Sequence, residues 1–299
     1  MRTVYLGTSD FAATVLDRLA ASPHRPPLVV TRPDAPRGRG RKLAPPPVAD
    51  TARLLGIEVI QPEDVNSEQA RRRIAAAEPE AIAICAFGVL IKEPLLSEHQ
   101  MLNVHPSLLP RWRGAAPVER AIEAGDEETG VSIMRPTAEY DAGPVAVQRA
   151  EPIRADDDYG SLAPRLAALG GELLAEALDL QPSFRDQPDT GVTYAEKIGP
   201  EDRRLDPELS ADLLERRVRA LTPHIGAYIE LPWDERLGVT RARLAPGDGP
   251  PPGQLAISDG RLLYGAASGA LELQEVHPGG KRPMDANAWI RGYGERVSG

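Results

Sequence analysis

The sequence predicts an α/β chain in two parts, a parallel-sheet domain followed by a small β-barrel. Three observations predict it. Short apolar runs alternate with helical patterns through the first half, the rhythm of βα units. The run AIAICA at 81–86 is apolar at every position, as a central parallel strand covered on both faces must be. After residue 205 the pattern changes to five short strands separated by Gly and Pro turns. The length, 299 residues, itself suggests two domains.

Each element has a local reason. Residues 2–6 read as the first strand, and Gly7-Thr8-Ser9-Asp10 as the turn into a helix from 11 to about 21. Ser9 or Asp10 supplies its N-cap. A dinucleotide site would want G-x-G-x-x-G at this turn, and only Gly7 is present, so NAD binding is rejected. Residues 28–31 form a second strand, which runs into the Gly/Pro-rich basic loop RPDAPRGRGRK at 32–42. There Arg32, Arg37, Arg39, Arg41 and Lys42 face one acid, Asp34, and Gly38 and Gly40 keep the strip mobile. A helix at 48–55 ends at Gly56, a strand follows at 57–60, and an Arg-rich helix capped by Ser67 or Asn66 covers 67–77.

Beyond the central strand, 118–124 is a short helix, and 131–134 and 145–148 are strands. Asp156, Asp157 and Asp158 then precede a long amphipathic helix in which Leu162, Leu166, Leu169, Leu173 and Leu174 recur at helical spacing. Three adjacent carboxylates cannot converge on one ion, so no metal site is read here. Residues 184–205 lose periodicity and read as a linker between a first domain at 1–183 and a second at 206–299. The second begins with a helix from Ser210 to about 220, has strands near 226–231, 238–244, 254–258, 261–266 and 270–276, and closes on a helix at 285–291.

Composition excludes some functions. The net charge of −9 argues against a generally basic nucleic-acid binder, so any such contact must come from local patches. The second domain has 11 Lys and Arg against 13 Asp and Glu, a net of −2. One cysteine, Cys85, excludes an intramolecular disulfide and reads as a small buried hydrophobe. No signal peptide and no membrane-length apolar run is present, so a cytoplasmic protein with no membrane partner is expected.

The stretch MLNVHPSLLPRWRGAAP at 101–117 organises the rest. Asn103 and His105 lie two apart on a strand and leave it on one face; Leu102 and Val104 take the other. Pro106 stops the strand. An amide and an imidazole thus meet at the C-terminal end of a strand, where open α/β sheets bind ligands. The pair suits acyl chemistry: an amide N–H for an oxyanion, and a ring that moves protons near neutral pH.

The run NVHPSLLP at 103–110 resembles the signature of the 10-formyltetrahydrofolate-dependent formyltransferases, in which Asn and His two apart precede Ser-Leu-Leu-Pro. The longer SLLPRWRGAAP is similar in particular to the branch that acts on methionyl-tRNA. Pro106 departs from the Gly or Ala frequent there and bears on turn geometry. GTSDFAA at 7–13 resembles the family opening GTPDFAA, with Ser9 for Pro, and VTYAEK at 192–197 resembles its interdomain segment.

The resemblance implies a Rossmann-like catalytic domain and an OB-like second domain. It implies formyl transfer from the co-substrate 10-formyltetrahydrofolate to the amino group of initiator methionyl-tRNA. It carries the catalytic roles onto Asn103, His105 and Asp141, the last in Tyr140-Asp-Ala-Gly where the family has Leu-Asp-(Thr/Ala)-Gly. Ser107, Leu108, Leu109 and Pro110 would frame the folate, with a cis bond expected at Leu109–Pro110. The loop Phe87-Gly88-Val89-Leu90-Ile91 would close over the pterin. Arg37, Arg39, Arg41 and Lys42 correspond to a basic insertion that meets tRNA, and Lys281 and Arg282 to a basic strip of the second domain. Arg113 and Gly114 line the channel for the aminoacyl end, or Arg113 simply holds the loop. No metal is required, and a monomer is expected. Two other readings share these letters: a sugar-nucleotide N-formyltransferase, which gains nothing from the basic loop, and a non-catalytic tRNA-binding protein, which has no need of the three catalytic types.

Overall fold

The computed structural model describes residues 1–37, 40 and 42–298. The chain divides into two compact units, each assembled from several stretches. Unit 1 is Met1–Pro117, Glu128–Pro152 and Ala163–Ala195; unit 2 is Val118–Glu127, Ile153–Leu162 and Glu196–Gly299. This is a different partition from a boundary at 183–206. Residues 185–195 are bonded into the first unit, and the chain joins the second from Glu196.

Unit 1 is built on a seven-stranded sheet. From one edge the order is Glu58–Ile60, Leu28–Val30, Thr3–Gly7, Ala81–Cys85, Met101–His105, Glu128–Met134, Val145–Pro152. The first five are mutually parallel, and the last two pair antiparallel. Ala81–Cys85 sits in the middle with every residue buried, as its unbroken apolar run requires. One face of the sheet buries Val4, Leu6, Val30, Ile82, Ile84 and Met101 in a common cluster with Ile74, Phe87 and Leu95. Val104 faces the other way, toward Gly170 of the helix Tyr159–Leu180, where an added Cβ would come within 2.8 Å of its methyl.

Caps close the helices as the side chains dictate. Ser9 accepts from the Ala12 N–H at the start of Asp10–Ala20, and Ser67 from Ala70 at the start of Glu68–Ala75. Gly7 has a different job from a turn glycine. It ends the first strand, and a Cβ there would lie 2.7 Å from the Tyr5 ring and 3.1 Å from the Cys85 carbonyl. Asp157 and Asp158 act as local caps: Asp157 accepts from the Arg154 N–H and the Ser161 hydroxyl, and Asp158 from the Ser161 N–H.

The basic stretch differs from the mobile loop expected of it. Ala35–Arg37 and Lys42–Ala44 pair antiparallel as a small hairpin. Charge and glycine content hid the pairing, because Pro36 and four cations gave no alternating pattern to read.

In unit 2 the strands form one antiparallel sheet ordered Ala227–Glu230, Arg236–Leu244, Ala270–Pro278, Arg261–Gly265, Leu255–Ser258. A short strand, Met284–Asp285, adds to Ala270–Pro278. Register shifts around Arg241 curl the sheet on its own core, as in small, partly open barrels. The helices Ala211–Leu221 and Ala286–Tyr293 supply Leu214, Val218 and Trp289 to that core. An ion-pair network ties its stretches together. Arg120 donates to Glu123 (2.8 Å) and Asp202 (3.0 Å), and Arg217 to Glu123 (2.7 Å). Burial alone would raise the Asp202 carboxyl, but the Arg120 guanidinium and the Gly199 N–H outweigh it and hold the group below its ordinary range.

Candidate active site

All the side chains of the site lie in unit 1. The strand Met101–His105 carries Asn103 and His105 on the same face as Met101, with Leu102 and Val104 buried on the opposite one. His105 is 4% exposed. Its Nε2 lies 2.8 Å from the Trp112 carbonyl, which can only accept. That contact places a proton on Nε2 and leaves Nδ1 as the nitrogen available for chemistry. Nδ1 lies 3.6 Å from Oδ2 of Asp141. This is an ion-pair distance and too long for a hydrogen bond; sites of this kind tighten when substrate arrives. The Asn103 amide N–H reaches toward the Met134 sulfur at 3.7 Å, a weak partner that a stronger acceptor can displace.

Asp141 comes from a turn remote in sequence, and that turn is strained. Its φ is +48°, in the left-handed region, which costs an ordinary residue about 1–2 kcal/mol. The Gly114 N–H donates to its Oδ2 at 3.0 Å. Gly114 has φ +123°, and a Cβ there would lie 2.7 Å from the Ala195 carbonyl, so the position accepts no larger residue without movement.

The loop between His105 and Gly114 is held from inside. Ser107 is fully buried and donates to the Arg111 carbonyl at 2.6 Å. Ser132 donates to the Ser107 carbonyl (2.6 Å) and accepts from the Leu109 N–H, while Gln148 donates to the Leu109 carbonyl (2.8 Å). The Leu109–Pro110 bond is cis. Leu109 is buried, and Leu108 and Pro110 are half-buried.

The loop after Ala81–Cys85 lies beside this one, because that strand and Met101–His105 are parallel neighbours in register from Ile82 to Cys85. Phe87 and Ile91 are buried in the core cluster, while Val89 and Leu90 are 39% and 42% exposed. Between them, a Cβ on Gly88 would meet nothing nearer than 3.8 Å. The Thr8 hydroxyl donates to the Phe87 carbonyl, and the Asn66 amide to that of Leu90, so the ledge has a fixed backbone.

The structure therefore brings Asn103, His105 and Asp141 to one place and sets 107–110 and 87–91 at adjacent strand ends. The basic candidates belong to other stretches of the chain. Lys42 is exposed on the small hairpin, and Arg37 enters through its backbone in the same hairpin. Arg39 and Arg41 lie outside the described residues. Lys281 and Arg282 are exposed in unit 2; the Lys281 ammonium donates to the Tyr293 hydroxyl at 2.7 Å. No cluster of three or more metal-ligating side chains occurs among the described residues, and no helix there is long and apolar enough to cross a membrane.

Three groups of the site escaped sequence reading, the Trp112 carbonyl, Thr193 and Gln187, and Gly114 was read as a channel residue and not as the donor to Asp141. Thr193 accepts from the Trp112 N–H at 2.8 Å, and its carbonyl accepts from the Arg113 N–H at 2.9 Å. Gln187 donates to the carbonyls of Asp141 and Gly143, both at 2.7 Å, and accepts from Arg113 Nε at 2.9 Å. The motif VTYAEK marked the neighbourhood of Thr193; nothing local marked Gln187.

Comparison with known proteins adds the rest. A family profile described as "Formyl transferase" matches residues 1–178, and one described as "Formyl transferase, C-terminal domain" matches 197–294. A protein of Thermus thermophilus called methionyl-tRNA formyltransferase is 42% identical over 297 residues, covering 98% of this chain and 97% of its own. One of the same name from Ruegeria pomeroyi is 40% identical over 297 residues with the same coverage. Among solved structures, a methionyl-tRNA formyltransferase from Clostridium thermocellum matches with a TM-score of 0.58 at 16% identity, covering 83% of this chain and 95% of that one. An N-formyltransferase from Helicobacter canadensis matches with a TM-score of 0.63 at 14% identity, covering 91% and 99%. At those identities the solved structures speak for the fold.

Proposed function

The chain belongs to the formyl transferase family, and on that premise we propose that it moves the formyl group of 10-formyltetrahydrofolate to the amino group of initiator methionyl-tRNA, giving formylmethionyl-tRNA for translation initiation. The observation that carries the reading is the approach of His105 Nδ1 to Asp141 Oδ2, beside an amide on the same strand face.

The chemistry follows from that arrangement. The amine lone pair attacks the formyl carbon, and the carbonyl electron pair moves onto oxygen. The Asn103 amide, and Nδ1–H when the ring is protonated, donate to that oxyanion. Asp141 accepts the proton that the amine releases, directly or through water. The tetrahedral centre collapses as the oxyanion pair reforms the carbonyl and the bond to the folate nitrogen breaks, and that nitrogen takes the proton Asp141 had accepted, directly or through water. No covalent enzyme intermediate is needed.

In this reading the folate lies on the ledge at Gly88, Val89 and Leu90, whose exposed apolar surface suits a flat ring. Phe87 and Ile91 support it from the core, and Ser107, Leu108, Leu109 and Pro110 shape the facing wall. Arg37, Arg39, Arg41 and Lys42 meet tRNA phosphates, with Lys281 and Arg282 as a second strip. A monomer in the cytoplasm completes the proposal, and it is compatible with all three proposed catalytic side chains coming from one chain.

The test supplies 10-formyltetrahydrofolate with methionyl-tRNA or with an amino-sugar nucleotide and follows release of tetrahydrofolate. Formylation of methionyl-tRNA is expected. Formylation of the sugar alone, or of neither, overturns the proposal.

A further inference from the structure

We infer that Gln187 is a positioning residue for formyl transfer, its amide setting the distance between Asp141 and His105; this rests on the reading above. Every polar atom of that amide is engaged. The two N–H bonds of Nε2 go to the Asp141 and Gly143 carbonyls, both at 2.7 Å, and Oε1 takes the Arg113 Nε–H at 2.9 Å. The orientation admits no flip, because turning the amide would set its oxygen against two carbonyl oxygens.

The three partners sit on the two loops that frame the chemistry. Asp141 holds the proton acceptor on a left-handed backbone at φ +48°. Arg113 lies between Trp112, whose carbonyl fixes the His105 ring, and Gly114, whose N–H holds the Asp141 carboxylate. One side chain thus grips both ends of the imidazole–carboxylate pair without touching either reacting group.

The segment that carries Gln187 is itself anchored on both sides. Arg185 exchanges backbone hydrogen bonds with Val145 at 2.8 and 2.9 Å. Tyr194 and Ala195 pair in parallel with Arg113 and Gly114. Residues 185–195 therefore form a strap from the Asp141 turn to the 110–116 loop, and the Gln187 side chain joins the two beside the direct Gly114–Asp141 bond. A neutral amide suits the place. It supplies one donor each to the Asp141 and Gly143 carbonyls of the turn and brings no charge of its own near the carboxylate.

The experiment compares the full chain with Q187E and Q187M. Q187E keeps the shape and the Arg113 contact but loses both donors to the turn; Q187M loses all three bonds. Three quantities are measured: kcat with KM for 10-formyltetrahydrofolate, binding of 5-formyltetrahydrofolate as an unreactive probe, and the 15N resonance of His105 Nδ1 at fixed pH. The expected result is a fall in kcat of about tenfold or more in both variants, with KM and probe binding within twofold and the His105 resonance displaced. A wild-type kcat and resonance in Q187E would overturn the inference. So would parallel losses of kcat, probe binding and melting temperature, which would make the residue merely structural. The resonance needs no turnover, so an inactive wild-type chain would sink the functional reading and still leave this inference decided.

Discussion

The two units hold their carboxylates by different physics. In unit 1, Asp141 takes a backbone N–H from Gly114, and its turn is gripped by the neutral amide of Gln187. In unit 2, Asp202 takes the Arg120 guanidinium and the Gly199 N–H, and Glu123 is shared between Arg120 and Arg217. A carboxylate neutralised by a guanidinium is held strongly, but its charge is already matched. A carboxylate oriented by neutral donors stays available to a ring nitrogen and a substrate amine. The difference teaches what each constellation suits: the first leaves a carboxylate open for the proposed proton transfer, and the second fastens segments 118–127 and 196–221 of one unit.

Substitutions can break that contrast, and the largest effects belong to unit 1. His105→Ala should lower kcat by about 10²–10⁴-fold and leave folate binding intact, and Asn103→Ala should cost about 10²–10³-fold as a lost oxyanion donor. Steady-state kinetics beside a binding titration check this; equal losses in kcat and folate affinity would make the pair structural.

In unit 2, Asp202→Asn should leave kcat per folded molecule nearly unchanged and cost about 1.5–3 kcal/mol of stability, the range for hydrogen bonds to a charged group. The sign with pH follows from the lowered carboxyl. Its contribution is present above the ordinary carboxylate range and is lost as pH falls through its depressed folded value. Urea melts of both proteins should therefore converge in acid, and a gap that persisted there would deny the network its charge.

The smallest expected signal concerns a group outside both constellations. Cys85 is fully buried between strands, and burial pushes its thiol up to about 12. Iodoacetamide near pH 8 should label it only as unit 1 opens, and rapid labelling of the native protein would contradict that burial.

What could be read in the letters was whatever is periodic or local. The unbroken run at 81–85, the alternation Leu102-Asn103-Val104-His105, and the caps Ser9, Ser67 and Ser210 each announce an element within a few residues. Motif resemblance brought Asp141 to His105 without geometry. The basic stretch was legible as charge and illegible as a hairpin, since Pro36 and the cations leave neither an alternation nor an apolar run to read.

By itself, then, the sequence determined the strand–helix order of the main sheet, the face that carries Asn103 and His105, and the residue types proposed for catalysis. Tertiary structure alone decided which His105 nitrogen is free, how Asp141 is held, and that a stretch read as linker is a strap. The reason is separation along the chain. Gln187 meets Asp141 across 46 residues and Arg113 across 74, and a hydrogen bond between such partners leaves no periodic trace in either segment.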